Sequence, residues 1–296
     1  MSKKEFSGII AYTITPFFRK NDQINLDVMF EVIDDLIGSG ANAIAGLGSA
    51  GECAYLNDEE WQLVARETIK YVADRVPVII GISELTTKKA VERAIYANKH
   101  GADAIMVSPF SYYKLTEDEI FDHYQAISDA IDIPIMVYNN PATCGVDMSP
   151  TFMLSMIEQI DHAEMIKEST GDIQRMHQIH QESNGSVPFF NGCNYIALEA
   201  INAGAQGWCT VAPSLIGDLP KQLFDAIKAG QKTESKALFY QQLDLLEFIV
   251  KGGLASTVKA GLEMKGIDAG DARLPLKPLP ESKRQQLHDI LKSVEK

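Results

Sequence analysis

Met165-Ile-Lys-Glu-Ser-Thr-Gly-Asp172 sets a lysine, Lys167, at the end of a short and largely apolar run, Ala163 to Ile166, that reads as a buried strand. A Gly-Asp turn follows, and a helical pattern begins after it. Lysines sit almost always on solvated faces, so one at the end of a core strand is costly unless it is paired or used. Two readings stand at this point. Lys167 pairs with Glu168 or another acid, or it is an amine kept where burial disfavours charge, free to attack a carbonyl.

The strand before Lys167 belongs to a series. Upstream, Ile9-Ile10-Ala11, Ala43-Ile44-Ala45, Val78-Ile79-Ile80-Gly81, Ala104 to Val107 and Ile135 to Tyr138 are short apolar runs; downstream, Val187 to Phe190 and Gly207 to Val211 continue the set. None shows polar alternation, as expected of strands covered on both faces. Helical spacing follows each of them. Asn57 with Glu60 and Thr116 with Glu119 have capping-box chemistry, and Ser149-Pro150 places proline at a first helical position. Eight strand–helix units fit a (β/α)8 barrel of about 250 residues better than a doubly wound sheet. The barrel is expected over residues 1–232. Residues 233–296 are strandless and predict a helical C-terminal appendage packed on it, with helices around Ala255 to Met264 and Glu281 to Val294.

Composition narrows the function. Of 296 residues, 46% are hydrophobic and 23% charged, which is ordinary for a globular enzyme. The net charge of -13 argues against nucleic acid or an anionic membrane as a partner. The Met1 to Phe6 stretch lacks an apolar leader core, and no stretch is long enough to span a bilayer. Cys53, Cys144, Cys193 and Cys209 are scattered without a C-x-x-C pair, which suits free thiols in a reducing cytoplasm. His123, His162, His177 and His180 do not recur at metal-ligand spacing, so neither metal nor cofactor is expected.

A barrel forms its active site at the C-terminal ends of the strands. That rule gathers Gly48-Ser-Ala-Gly-Glu52, Tyr138-Asn139, Lys167 and Asn191-Gly192 on one rim. A lysine, a phenol, a hydroxyl and glycine-rich backbone suit Schiff-base chemistry on a small 2-oxo acid. The imine is the electron sink, the phenol moves protons and turn N–H groups hold the carboxylate. Each has a plainer reading: Tyr138 as a satisfied core tyrosine, Ser49 as a turn cap. Glu52 reads as holding its loop. Gly46-x-Gly48-x-x-Gly51 also fits a dinucleotide fingerprint, but the next helix starts only at Asn57. A non-catalytic 2-oxo acid binder is the remaining alternative.

Gly48-Ser-Ala-Gly-Glu52, Tyr138-Asn-Asn-Pro141 and Ile166-Lys-Glu-Ser-Thr-Gly171 closely resemble, in order and spacing, the motifs of the dihydrodipicolinate synthase / N-acetylneuraminate lyase family. The resemblance covers nearly the whole chain. It implies a TIM barrel with C-terminal helices and a homotetramer built as a dimer of dimers. It implies Lys167 as the Schiff-base lysine and Tyr138 as the proton-relay phenol. Ser49 would be a catalytic hydroxyl that cradles the carboxylate with the Ala50 backbone, and Gly192 a backbone position lining substrate. Two positions depart from the lysine-pathway synthases. Thr143 stands where they carry an arginine for the second substrate's carboxylate. Their second relay tyrosine, lent to a neighbouring subunit, falls here in Pro109-Phe-Ser-Tyr-Tyr-Lys114, where Ser111 sits at the strict offset and Tyr112 one residue later. Tyr138-Asn-Asn-Pro, Lys167 to His177 and Asn191-Gly-Cys-Asn resemble a subgroup that deaminates 1-pyrroline-4-hydroxy-2-carboxylate in hydroxyproline breakdown. That deaminase is the expected activity, with 4-hydroxy-tetrahydrodipicolinate synthase or another pyruvate-dependent aldolase as the alternative.

Overall fold

The computed structural model describes residues 4–294; Met1 to Lys3, part of the stretch read as lacking a leader, and the last two residues lie outside it. Eight parallel strands close into a barrel in sequence order: β1 (Gly8–Tyr12), β2 (Ala43–Gly46), β3 (Val78–Gly81), β4 (Ala104–Val107), β5 (Ile135–Asn139), β6 (Ala163–Glu168), β7 (Phe189–Asn191) and β8 (Gly207–Thr210). Every strand residue but Glu164 is buried, which is why the strands read as unbroken apolar runs. The helices between them cover the outside. Asn57 and Glu60 complete a capping box at Asp58–Val72, as do Thr116 and Glu119 at Glu117–Ser128. Each box satisfies backbone N–H groups that a helix start leaves open.

The strand ends differ from the sequence reading where it matters most. β1 runs one residue further, to Tyr12, and β7 is shifted toward Asn191. After β5, Pro141–Cys144 forms one helical turn.

Beyond the barrel, Lys232–Gly252, Leu254–Met264 and Glu281–Val294 are helices. The junction of the first two lies over the C-terminal rim, with Gly253 at φ 99° making a turn that suits glycine. The second is tied to the β2 loop by a buried ion pair, Lys259 Nζ to Glu52 Oε1 at 2.6 Å. Arg273, further along, donates its backbone N–H to Glu52 at 2.7 Å and its guanidinium to both oxygens of Glu60. Among the described residues, no helix is long and apolar enough to cross a membrane.

Candidate active site

Parallel pairing puts Tyr138 of β5 beside Lys167 of β6, and Phe190 of β7 on its other side. Side chains in register on neighbouring strands share a face, so Lys167 and Tyr138 meet inside the barrel mouth. Both are buried, at 5% and 6% exposure. Lys167 Nζ lies 3.8 Å from the centre of the Tyr138 ring and 4.1 Å from that of Tyr12. It donates to Tyr12 Oη at 3.0 Å.

Glu168 does not pair with Lys167. The next residue along a strand faces the other way, and Glu168 is fully buried in a separate network. Its carboxylate accepts from Thr170 N at 2.7 Å, Asn139 Nδ2 at 3.1 Å and Arg175 Nε at 3.2 Å. Asn139 and Glu168 are the register pair next to Tyr138 and Lys167, so the network braces the two strand ends from behind. Among the described residues, Lys167 forms no ion pair.

The cavity beside Lys167 holds about 230 Å³, below the roughly 300 to 1,000 Å³ usual for larger ligands. Ser49, Ala50, Tyr138, Thr143, Lys167 and Gly192, all singled out from the sequence, border it together. Ser49–Gly51 is a single tight turn whose own bonds come from Gly51 N and Glu52 N. The N–H groups of Ser49 and Ala50 are therefore not spent within the turn. The Tyr138 hydroxyl accepts from Asn140 Nδ2 at 2.7 Å. At Gly192 a Cβ would lie 1.8 Å from Ser169 Oγ and 2.8 Å from Lys167 Cε, so only glycine leaves room for the lysine stem. Glu52 holds its loop, as expected. Thr143 donates its hydroxyl to Asn140 O at 3.2 Å and brings no charge to the cavity. Lys167 is the sole cationic side chain among the residues that line it. A second cavity across Ser49, Tyr138 and Thr143 includes Arg93, whose guanidinium is engaged 2.6 Å from Glu84.

Tyr112 does not reach this cavity. It is 86% exposed, beside the exposed Tyr113, and Ser111 spends its hydroxyl as acceptor for Tyr113 N. Within one chain, neither stands near Lys167.

Several bordering residues were not singled out. Tyr12 is one. Ser169, one step past the lysine's own neighbour, has a buried hydroxyl without a partner among the described residues. Cys209 and Thr210 come from β8, and Ile249, Val250 and Leu254 form an apolar wall from the C-terminal helices. Tyr12 and Thr210 obey the strand-end rule that flagged the others. The apolar wall has no local sequence signal. All four cysteines are free, and burial raises the Cys209 thiol above its ordinary range. Among the described residues, no cluster of three His, Cys, Asp or Glu side chains is placed to hold a metal ion.

A closed parallel barrel with a buried lysine and a phenol at its C-terminal rim defines an enzyme of the class I lyase type. The chain belongs to the dihydrodipicolinate synthetase family, whose model matches residues 5–294. It is 31% identical to 4-hydroxy-tetrahydrodipicolinate synthase of Geotalea uraniireducens, over 97% of this chain and 98% of that one. It is 29% identical to 4-hydroxy-tetrahydrodipicolinate synthase 1 of Halalkalibacterium halodurans, over 94% of each. A solved structure from Pseudomonas aeruginosa, provisionally described as a dihydrodipicolinate synthetase, superposes with a TM-score of 0.96. That structure is 48% identical, over 98% of this chain and all of the other.

Proposed function

We propose that Lys167 forms a Schiff base with the C2 carbon of a small 2-oxo acid or its cyclic imine, and that 1-pyrroline-4-hydroxy-2-carboxylate is the preferred substrate. The observation that carries this reading is Lys167 itself. It is buried, without an ion-pair partner among the described residues, and it opens on a small cavity that it alone lines with positive charge. A substrate with one carboxylate suits such a cavity.

In this reading Lys167 adds to the ring imine carbon and the ring C–N bond opens, leaving the lysine iminium at C2. Loss of a C3 proton gives an enamine, which expels the 4-hydroxyl as hydroxide. The C3–C4 double bond is then consumed internally: protons leave C5 and its nitrogen, protons arrive at C4 and C3, and the C5 amine becomes an imine. Two hydrolyses release ammonia and 2,5-dioxopentanoate and restore the lysine. One water leaves and two enter, so the net reaction consumes one. Tyr138 moves the protons. The Ser49 hydroxyl and the N–H groups of Ser49 and Ala50 hold the carboxylate. The Ser169 hydroxyl is free to bond a substrate oxygen.

Condensation of pyruvate with aspartate semialdehyde is the second reading, favoured by the names of the relatives above. It must hold a second carboxylate, and Thr143 offers neither charge nor a bidentate fork. Lys114 borders neither cavity. A missing charge-assisted contact costs about 1.5 to 3 kcal/mol, roughly ten- to a hundredfold. Ammonia release from the pyrroline should therefore exceed the condensation by at least about tenfold in kcat/KM. Efficient condensation, unimproved by Thr143→Arg, would favour the synthase reading instead.

The assembly we propose is a homotetramer, a dimer of dimers, working on small molecules in the cytoplasm. In it the exposed Tyr112 reaches the site of a neighbouring copy and supplies the second relay hydroxyl.

A further inference from the structure

Tyr12 is the last residue of β1, on the far side of Lys167 from Tyr138, and only 5% exposed. Its hydroxyl is 3.0 Å from Lys167 Nζ and donates its own proton to Met106 Sδ at 2.8 Å. With that proton committed to sulfur, the oxygen faces the amine as an acceptor. The ring has its place because residue 48 is glycine: a Cβ there would lie 2.8 Å from two Tyr12 ring carbons. The groups facing the phenol are Lys167 from β6, Tyr138 from β5 and Cys209 from β8. Burial first, then Cys209 and Tyr138, hold the phenol well above its ordinary value, so it stays neutral around pH 7.

We propose that Tyr12 is a catalytic residue that orients the lysine nitrogen for attack and holds the single N–H of the iminium that results. The proposal rests on the Schiff-base reading of Lys167. When the lysine condenses with a 2-oxo acid, its ammonium first passes one proton to the carbonyl oxygen and so frees the lone pair. The Nζ–C2 bond then forms and the C2–oxygen bond breaks. Of the three ammonium protons, two leave with the carbonyl oxygen as water and one stays on nitrogen. The positive charge is unchanged. Tyr12 Oη accepts the remaining N–H, fixing the plane of the iminium, while the Tyr12 and Tyr138 rings face the cation from two sides. Electrostatic attraction of this kind is favourable at a desolvated site. The role differs from that given to Tyr138. Tyr12 carries no proton to or from substrate.

The test follows imine formation directly. Full-length protein is mixed with pyruvate, quenched with borohydride at successive times, and the mass adduct on Lys167 is quantified across a pH series. An adduct on Lys167 of the wild type establishes the Schiff base independently of Tyr12. Tyr12→Phe keeps the ring and removes the acceptor. It should then slow adduct formation by at least about tenfold, the lower end of what a charge-assisted hydrogen bond supplies, and move the pH profile. The adduct should stay on Lys167. If Tyr12→Phe does not fold, a fluorinated tyrosine incorporated at position 12 weakens the acceptor at nearly constant size and should slow the step in the same way. Wild-type rates and an unmoved pH profile in the folded variant would reduce Tyr12 to a packing residue.

Discussion

Lys167 owes the room for its stem to a glycine. Gly192 is the residue whose added Cβ would strike the lysine's own Cε, so this backbone position sets how the amine stands in the cavity. Tyr138 packs its ring on the amine from the other strand and turns its hydroxyl to Asn140. Removing that hydroxyl alone leaves the packing intact. Tyr138→Phe should lower kcat by roughly 10² to 10⁴, the usual range for lost acid–base help, with unfolding little changed. Steady-state kinetics beside a denaturant titration checks this; activity within about twofold of wild type would make Tyr138 a core residue only. Lys167 and Tyr138 were legible because each ends an apolar run in a motif that the barrel rule interprets. Tyr12 was not, because the first strand was read as stopping at Ala11 and a tyrosine after it looks like core. Nothing in the string around Ser169 says that its hydroxyl is buried without a partner among the described residues. That depends on how β6 and β7 approach at Gly192.

The C-terminal helices do more than cover the barrel. Ile249, Val250 and Leu254 wall the cavity, and Lys259 in the helix Leu254–Met264 anchors Glu52 just past the Ser49–Gly51 turn. Lys259 and Glu52 are both almost wholly buried. Burial pulls the Lys259 amine below its ordinary range while Glu52 opposes the fall. Breaking one side of such a pair leaves an uncompensated charge and costs about 3 to 5 kcal/mol, whereas removing both often costs far less. Lys259→Met should therefore destabilise by that amount in a urea titration. Adding Glu52→Gln should recover a large part of the loss. A Lys259→Met change below about 1 kcal/mol would mean that the pair is not what ties helix to loop. The helices were visible in the sequence by their periodicity. Their partner was not, since Lys259 and Glu52 are brought together by the path of the whole barrel.

At the scale of the whole molecule, the barrel explains why eight short apolar runs of different length and spacing read as one pattern: each strand is covered on both faces and each ends on one rim. What a single chain leaves outside the site is Tyr112, exposed on the loop after β4. The proposed assembly turns this into a complementation experiment. Tyr112→Phe and Lys167→Ala should each be inactive or nearly so. After dissociation, mixing and reassembly in equal amounts, a site needs Lys167 from its own chain and Tyr112 from its neighbour. A two-fold interface gives that combination in about a quarter of sites, and activity should return to about that level. No recovery, with mixed oligomers verified by mass, would leave the Tyr112 hydroxyl without a role across the interface.

The central claim is that Lys167 becomes covalently bound to substrate carbon. Borohydride added to the protein during turnover of pyruvate or the pyrroline, followed by digestion and peptide mass mapping, tests it in one measurement. The expected result is a stable adduct on the peptide that contains Lys167, absent from Lys167→Ala together with all turnover. An adduct on a different lysine, or turnover of the true substrate with no adduct at all, would contradict the account.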